Sequence, residues 1–193
     1  MLGITGASGA PYAARVLRAL VDAGADVGVV ASRAAGQVIA LEVYGDRSMD
    51  ATGALERLVR DHGGADVATY APDDYRAPYA SGSARTDSVI ICPCSMATVG
   101  TIVGGAEANL IHRAAGVQLK EGRRLVVVPR ETPLSAIHLE NLLRLQRAGA
   151  HIVPAMPAFY QGPRDMDDLI AFVAGKVLDV AGVEHDLFRR WGT

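Results

Sequence analysis

Arg130 and Glu131 put a guanidinium and a carboxylate side by side, directly after the apolar run Leu125-Val126-Val127-Val128-Pro129. A guanidinium can clamp an anion, and a carboxylate can accept a proton or steady a developing positive charge. The run before them reads as a strand covered on both faces, because such strands are continuously apolar rather than alternating. Pro133 fits the first turn of a helix, where a backbone N–H has no helical partner. Leu139, Leu142, Leu143 and Leu145 continue that helix with the right spacing. An isolated Arg-Glu pair is most simply a surface ion pair. Here both charges sit where a parallel strand hands over to a helix, the crevice in which open α/β sheets bind ligands.

A second group with binding chemistry lies in the first residues. Residues 2–5 form a short strand, Gly6-Ala7-Ser8-Gly9 is a turn of small residues, and Pro11 opens a helix. Ala14, Val16, Leu17, Leu20 and Val21 give that helix an apolar face, and Gly24 closes it. Ala25–Ala31 is the next strand, so strand, glycine loop, helix and strand follow each other as a βαβ unit. The loop is not the dinucleotide fingerprint GxGxxG, but the physics is shared. Small residues let N–H groups approach a phosphate at a helix N-terminus, and Ser8 adds a hydroxyl. A glycine-rich turn made only for tight packing is an equal alternative. Ser32 is explained as a helix N-cap, and it also stands at a strand end where a ligand could meet it. Glu42 falls near the end of the following helix, where a carboxylate opposes the dipole; a solvated surface residue is the expectation.

Further along, Ala54–His62 reads as a helix and Val67–Tyr70 as a short strand. Ala80-Ser81-Gly82-Ser83 is too small-sided for a core and is either a plain loop or a set of donors for an anion. Ser88–Cys92 is a buried strand running into Pro93-Cys94-Ser95-Met96-Ala97-Thr98, where Ser95 and Thr98 can cap a helix or hold a polar ligand edge. Cys92 and Cys94 have no second cysteine pair or histidine cluster beside them, so buried packing is preferred to a metal site. A helix beginning near Glu107 carries Arg113, with Lys120 at or just past its end. His151–Pro154 is the last strand, followed by a proline-bounded loop to Tyr160. Asp165–Val180 is an amphipathic helix containing Lys176. Trp191, near the end, reads as a packing anchor.

The elements that position these groups alternate strand and helix, which implies an α/β fold with a parallel sheet. At 193 residues the chain is expected to be one domain, residues 1–193. A formal charge of -2 and a pI near 6.2 give no pull toward nucleic acid or anionic lipid. Aromatics at 5% argue against a base-stacking platform. No apolar run approaches a membrane span, and no basic leader precedes the first strand, so a cytoplasmic protein is expected.

Taken together, Gly3-Ile-Thr-Gly-Ala-Ser-Gly-Ala10, Ala80–Ser83, Cys92–Met96, Arg113–Ala115, Leu119–Glu121, Pro129–Asn141, Pro157–Tyr160 and Arg190-Trp191 resemble the flavin prenyltransferases of the UbiX type. The motifs occur in family order across nearly the whole chain; residues 46–75 carry little of the match. The resemblance implies a Rossmann-like (flavodoxin-like) three-layer fold binding FMN at the C-terminal sheet edge. It implies transfer of a dimethylallyl group from dimethylallyl phosphate to N5 and C6 of reduced FMN, with the product passed to a UbiD-type decarboxylase. FMN contacts would fall on Gly6, Ala7, Ser8, Ser32, Ser95, Met96, Ala97, Thr98 and Arg130. Isoprenoid phosphate contacts would fall on Tyr160 and Lys176, with Arg113 and Lys120 nearby. Glu131, Lys120, Glu42 and Ser8 would be catalytic, and no metal is implied. Such proteins assemble as dodecamers with sites between subunits. Ala97 stands where many members have Lys, and Lys176 where Arg is frequent, which keeps the charge but not the planar fork. Three rivals are a cysteine decarboxylase of the same fold, a direct aromatic-acid decarboxylase and a non-catalytic FMN carrier. The sequence leaves open whether the isoprenoid donor is a mono- or a diphosphate.

Overall fold

Strands that are apolar on every residue need cover on both faces, and the fold supplies it. The structure, a computed structural model, describes residues 1–192. Six strands run parallel in one sheet: β1 (Leu2–Ile4), β2 (Gly28–Ala31), β3 (Ala68–Tyr70), β4 (Ser88–Cys94), β5 (Arg124–Pro129) and β6 (His151–Ile152). Their spatial order is β3-β2-β1-β4-β5-β6. The helices are α1 (Ala10–Asp22), α2 (Arg33–Glu42), α3 (Ala51–His62), α4 (Met96–Val103), α5 (Leu110–Lys120), α6 (Ala136–Arg147) and α7 (Met166–Ala181), with a 3-10 turn at Pro78–Ala80. The order reverses between β1 and β4, which makes the crevice beyond their C-terminal ends the topological switch point.

Two cores form, one on each face of the sheet. Val126 and Val128 of β5 join α1, α2, α3 and α7, while Leu125 and Val127 join α4, α5 and Leu145 of α6. This is the period-2 alternation of a strand, apolar on both sides. Cys92 and Cys94 should share a face by the same rule. They do not: a register irregularity between Ile91 and Cys94 turns the strand over, and the thiols enter different cores. Burial pushes both thiols far above their ordinary range.

Two expectations are corrected. Pro133 lies before the helix, not in its first turn. Ser135 caps α6 by accepting from the His138 N–H, and the His138 ring accepts from the Ser135 N–H, so the start moves to Ala136. Asn109 likewise caps α5 at His112, placing its start at Leu110 rather than near Glu107. Of the four leucines on α6, only Leu145 is fully buried; Leu139 and Leu143 are exposed.

Candidate functional site

The crevice at the switch point is bounded by the turns after β1, β2, β4 and β5. After β1, Gly6–Gly9 must pass under α2. A Cβ on Gly6 would come within 2.6 Å of the Ala34 Cβ, so only glycine fits there. Thr5, buried at the strand end, donates its hydroxyl to the Pro93 carbonyl at 2.8 Å and accepts the Ser95 N–H at 2.8 Å. One side chain thereby joins the turn after β1 to the turn after β4. Ser95 caps α4, accepting the Thr98 N–H at 3.2 Å and lying 3.0 Å from the Thr98 hydroxyl. Ser32 caps α2 through the Ala35 N–H at 3.2 Å. Arg130, just past β5, donates from Nε to the Ser8 carbonyl at 2.8 Å across a sequence separation of 122 residues. Glu131 is exposed beside it and accepts the Thr132 N–H at 3.0 Å.

Glu42 is the residue whose role the sequence disguised. It ends α2, yet its carboxylate points at the neighbouring helix. Its Oε2 accepts the Gly9 N–H at 2.7 Å and the Ala10 N–H at 2.9 Å. The anion at the start of α1 is therefore supplied by the chain itself, and a ligand phosphate does not occupy those two donors. The favourable helix end is that of α1, not of its own helix. Spacing within α2 could not have revealed this, because the partner lies more than 30 residues away. Among the described residues, no hydrogen bond engages the N–H of Gly6, Ala7 or Ser8. These small residues, the hydroxyls of Ser32, Ser95 and Thr98 and the Arg130 guanidinium form a polar cradle that suits a phosphorylated flavin. Met96 is buried at the floor and Ala97 is exposed.

Tyr160 stands on the loop after β6, at the same sheet edge, 62% exposed. Its ring packs edge-on against Phe172 of α7, at 6.0 Å, and against Trp191, at 5.4 Å. Lys176, also on α7, lies 3.4 Å from Asp179. Burial pushes the Asp179 carboxyl up, but hydrogen bonds from Arg190 and Lys176 outweigh it and hold the group below its ordinary range.

Arg113 and Lys120 do not join this edge within one chain. Arg113 donates to the Ala80 carbonyl at 2.8 Å and to both Glu107 oxygens at 2.8 and 2.9 Å. Lys120 ends α5 and pairs with Glu121 beside Gly82. Because α5 runs back against the strand direction, Lys120 lies near the start of β5 whereas Arg130 follows its end. Six residues of strand separate those levels by roughly 20 Å. A cleft of about 730 Å³ occurs at that opposite edge, lined by Arg85, Arg123, Arg124 and His151 among others. Two of these arginines are committed to the fold: Arg123 to the Gly82 and Ala84 carbonyls, Arg124 to that of Ala181.

With this geometry in view, known proteins can be set beside the chain. Residues 1–178 match the family model described as Flavoprotein. A flavin prenyltransferase UbiX of Halalkalibacterium halodurans is 50% identical over 194 residues, covering 99% of this chain and 92% of that protein. A UbiX structure in complex with FMN and dimethylallyl pyrophosphate superposes with a TM-score of 0.87 at 38% identity, covering 100% of this chain and 96% of the other. The dodecameric FMN-dependent UbiX-like decarboxylase from Escherichia coli O157:H7 also gives 0.87, at 44% identity, covering 100% and 98%. Residue motifs, sheet order and full-length similarity agree: the chain belongs to the UbiX family of flavin prenyltransferases.

Proposed function

We propose that this protein joins a dimethylallyl group from dimethylallyl phosphate to N5 and C6 of reduced FMN, and that the prenylated flavin serves a UbiD-type decarboxylase. The observation that carries the reading is the bond from Arg130 to the Ser8 carbonyl. It closes the switch-point crevice over a turn with free N–H groups, and it sets Glu131 next to whatever binds there. Gly6, Ala7, Ser8, Ser32, Ser95, Met96, Ala97, Thr98 and Arg130 hold the flavin. Tyr160 and Lys176 take the isoprenoid phosphate. Arg113 and Lys120 reach it from an adjoining copy in a dodecamer; the position of Lys120 at the far end of α5 supports this.

The bound reduced flavin supplies nucleophilic nitrogen and carbon; the remaining tasks fall to the chain. The allylic C–O bond breaks with its electron pair leaving on phosphate. The protons displaced from N5 and C6 end on the former alkene carbon and on the phosphate. Negative charge therefore grows on the phosphate, and fixed cations help because they act where charge develops. Loss of one such donor should lower the rate by about 10²–10³. The carbon fragment is cationic in character, so aromatic faces such as Tyr160 steady it and exclusion of water protects it. Glu42 is anchored through Oε2, which leaves Oε1 for proton transfer. Glu131 is the second carboxylate for that traffic.

The deciding assay incubates the protein with reduced FMN and dimethylallyl phosphate without oxygen, then weighs the flavin. A gain of one five-carbon unit is expected. Bound but unchanged FMN would leave a carrier. A cysteine decarboxylase is disfavoured because Pro154-Ala-Met156 is followed by Pro157, where those enzymes carry Asn.

A further inference from the structure

Asp179 gathers the end of the chain onto α7. Arg190 donates from Nη1 to both of its oxygens, at 2.7 and 2.9 Å. His185 Nδ1 accepts the Leu187 N–H at 3.1 Å, so Nε2 carries the proton it gives to Asp179 Oδ1 at 3.1 Å. Lys176 reaches the other oxygen at 3.4 Å. The tail also fits a notch in the helix. At Gly175 a Cβ would run into the rings of Phe188 and His185. Phe188 continues onto Phe172 at 5.1 Å, and Phe172 onto Tyr160. On the far side, Gln161 donates to the Arg189 carbonyl at 2.9 Å. The tail is thus fastened on two sides of a cleft of about 510 Å³ lined by Tyr160, Gln161, Arg189, Arg190, Trp191 and Gly192.

We propose that Asp179 is a positioning residue for the isoprenoid-phosphate subsite: by clipping Arg190 and His185 it seats Trp191 against Tyr160, and it orients Lys176 beside them. This rests on the reading that Tyr160 and Lys176 receive the isoprenoid phosphate. Asp179 touches no substrate; it fixes the wall and the cation that do. A tail held only by apolar packing would not need a carboxylate that accepts from three side chains. The flavin crevice is built from other elements, so its affinity should not depend on this clip.

Trp191 is the single tryptophan of the sequence and reports on the tail directly. Asp179→Asn, Arg190→Gln, the double variant and Asp179→Glu are compared with the unmodified, assembled protein. Dimethylallyl phosphate should change Trp191 emission saturably in the unmodified protein. Each single variant should raise the half-saturating concentration and the KM about tenfold, with kcat within threefold and FMN affinity within twofold. The double variant should be no worse than the singles, and Asp179→Glu should recover most of the loss. Unchanged isoprenoid affinity alongside normal FMN binding would overturn the inference. So would a parallel loss of FMN binding, which would reduce Asp179 to a general stabiliser. If the unmodified protein binds FMN but neither responds to dimethylallyl phosphate nor turns it over, the underlying reading fails, and this one with it.

Discussion

Glu42 gives one oxygen to two N–H groups at the start of α1. Hydrogen bonds to a charged acceptor each contribute about 1.5–3 kcal/mol, and an unpartnered half-buried donor is costly. Glu42→Ala should lower the unfolding free energy by about 2 kcal/mol in a urea titration and weaken FMN binding, because the Gly6–Gly9 turn loses its anchor. Glu131 has a different position, exposed and tied only to the adjacent Thr132 N–H. Glu131→Gln should therefore retain stability and FMN binding while losing turnover; full activity in that variant would remove Glu131 from the mechanism. Asp179 makes a pH prediction. Its carboxyl is held below the ordinary range, which for Asp is about 3.9. A depressed carboxylate stabilises fully above that value, and the contribution disappears as pH falls through the folded pKa. Arg190, His185 and Lys176 face it. Trp191 emission should shift as pH falls below about 4, with no such shift in Asp179→Asn.

At the level of elements, α2 and α3 approach each other closely at Gly36. A Cβ on Gly36 would run into the backbone of Ala51. Gly36→Ala should push the helices apart and destabilise by about 1–3 kcal/mol, the usual cost of overpacking, read as a lower thermal midpoint. The central strands were legible because their apolar runs admit only one environment: Leu125–Pro129 and Ser88–Cys92 appear where the sequence indicates. Two other strands are shorter than their apolar runs indicate: β6, at the edge of the sheet, shrinks to His151–Ile152, and β2, paired on both sides, to Gly28–Ala31, since runs this short carry little periodic signal. Helix starts were misplaced where a side-chain cap decides the boundary. Ser135 and Asn109 compete with nearby Pro133 and Glu107, and only the hydrogen bonds show which of them wins. The placement of Gly6–Gly9, Ser32, Ser95 and Arg130 just past the strand ends was legible from the apolar runs before them. The partner of Glu42 was not, because helical spacing says nothing about contacts between helices.

The whole chain separates Lys120 from Arg130 by the depth of the sheet, so the proposed function needs Lys120 to come from another copy. Light scattering should give about twelve copies per particle if the chain assembles as its dodecameric relative does. Lys120→Ala and Arg130→Ala chains, each inactive, should recover part of their activity when denatured together and co-assembled, because mixed sites then contain one intact residue of each kind. No recovery in particles shown to be mixed would place both side chains in the same chain's site. Among the described residues no helix is long and apolar enough to cross a membrane. The crossing of β4 from one face to the other carries a separate consequence. Cys92 and Cys94, two residues apart in sequence, are sealed into opposite halves of the molecule. Pulses of an alkylating reagent during unfolding should therefore tag them independently: the sulfur labelled first names the helical layer that peels away first.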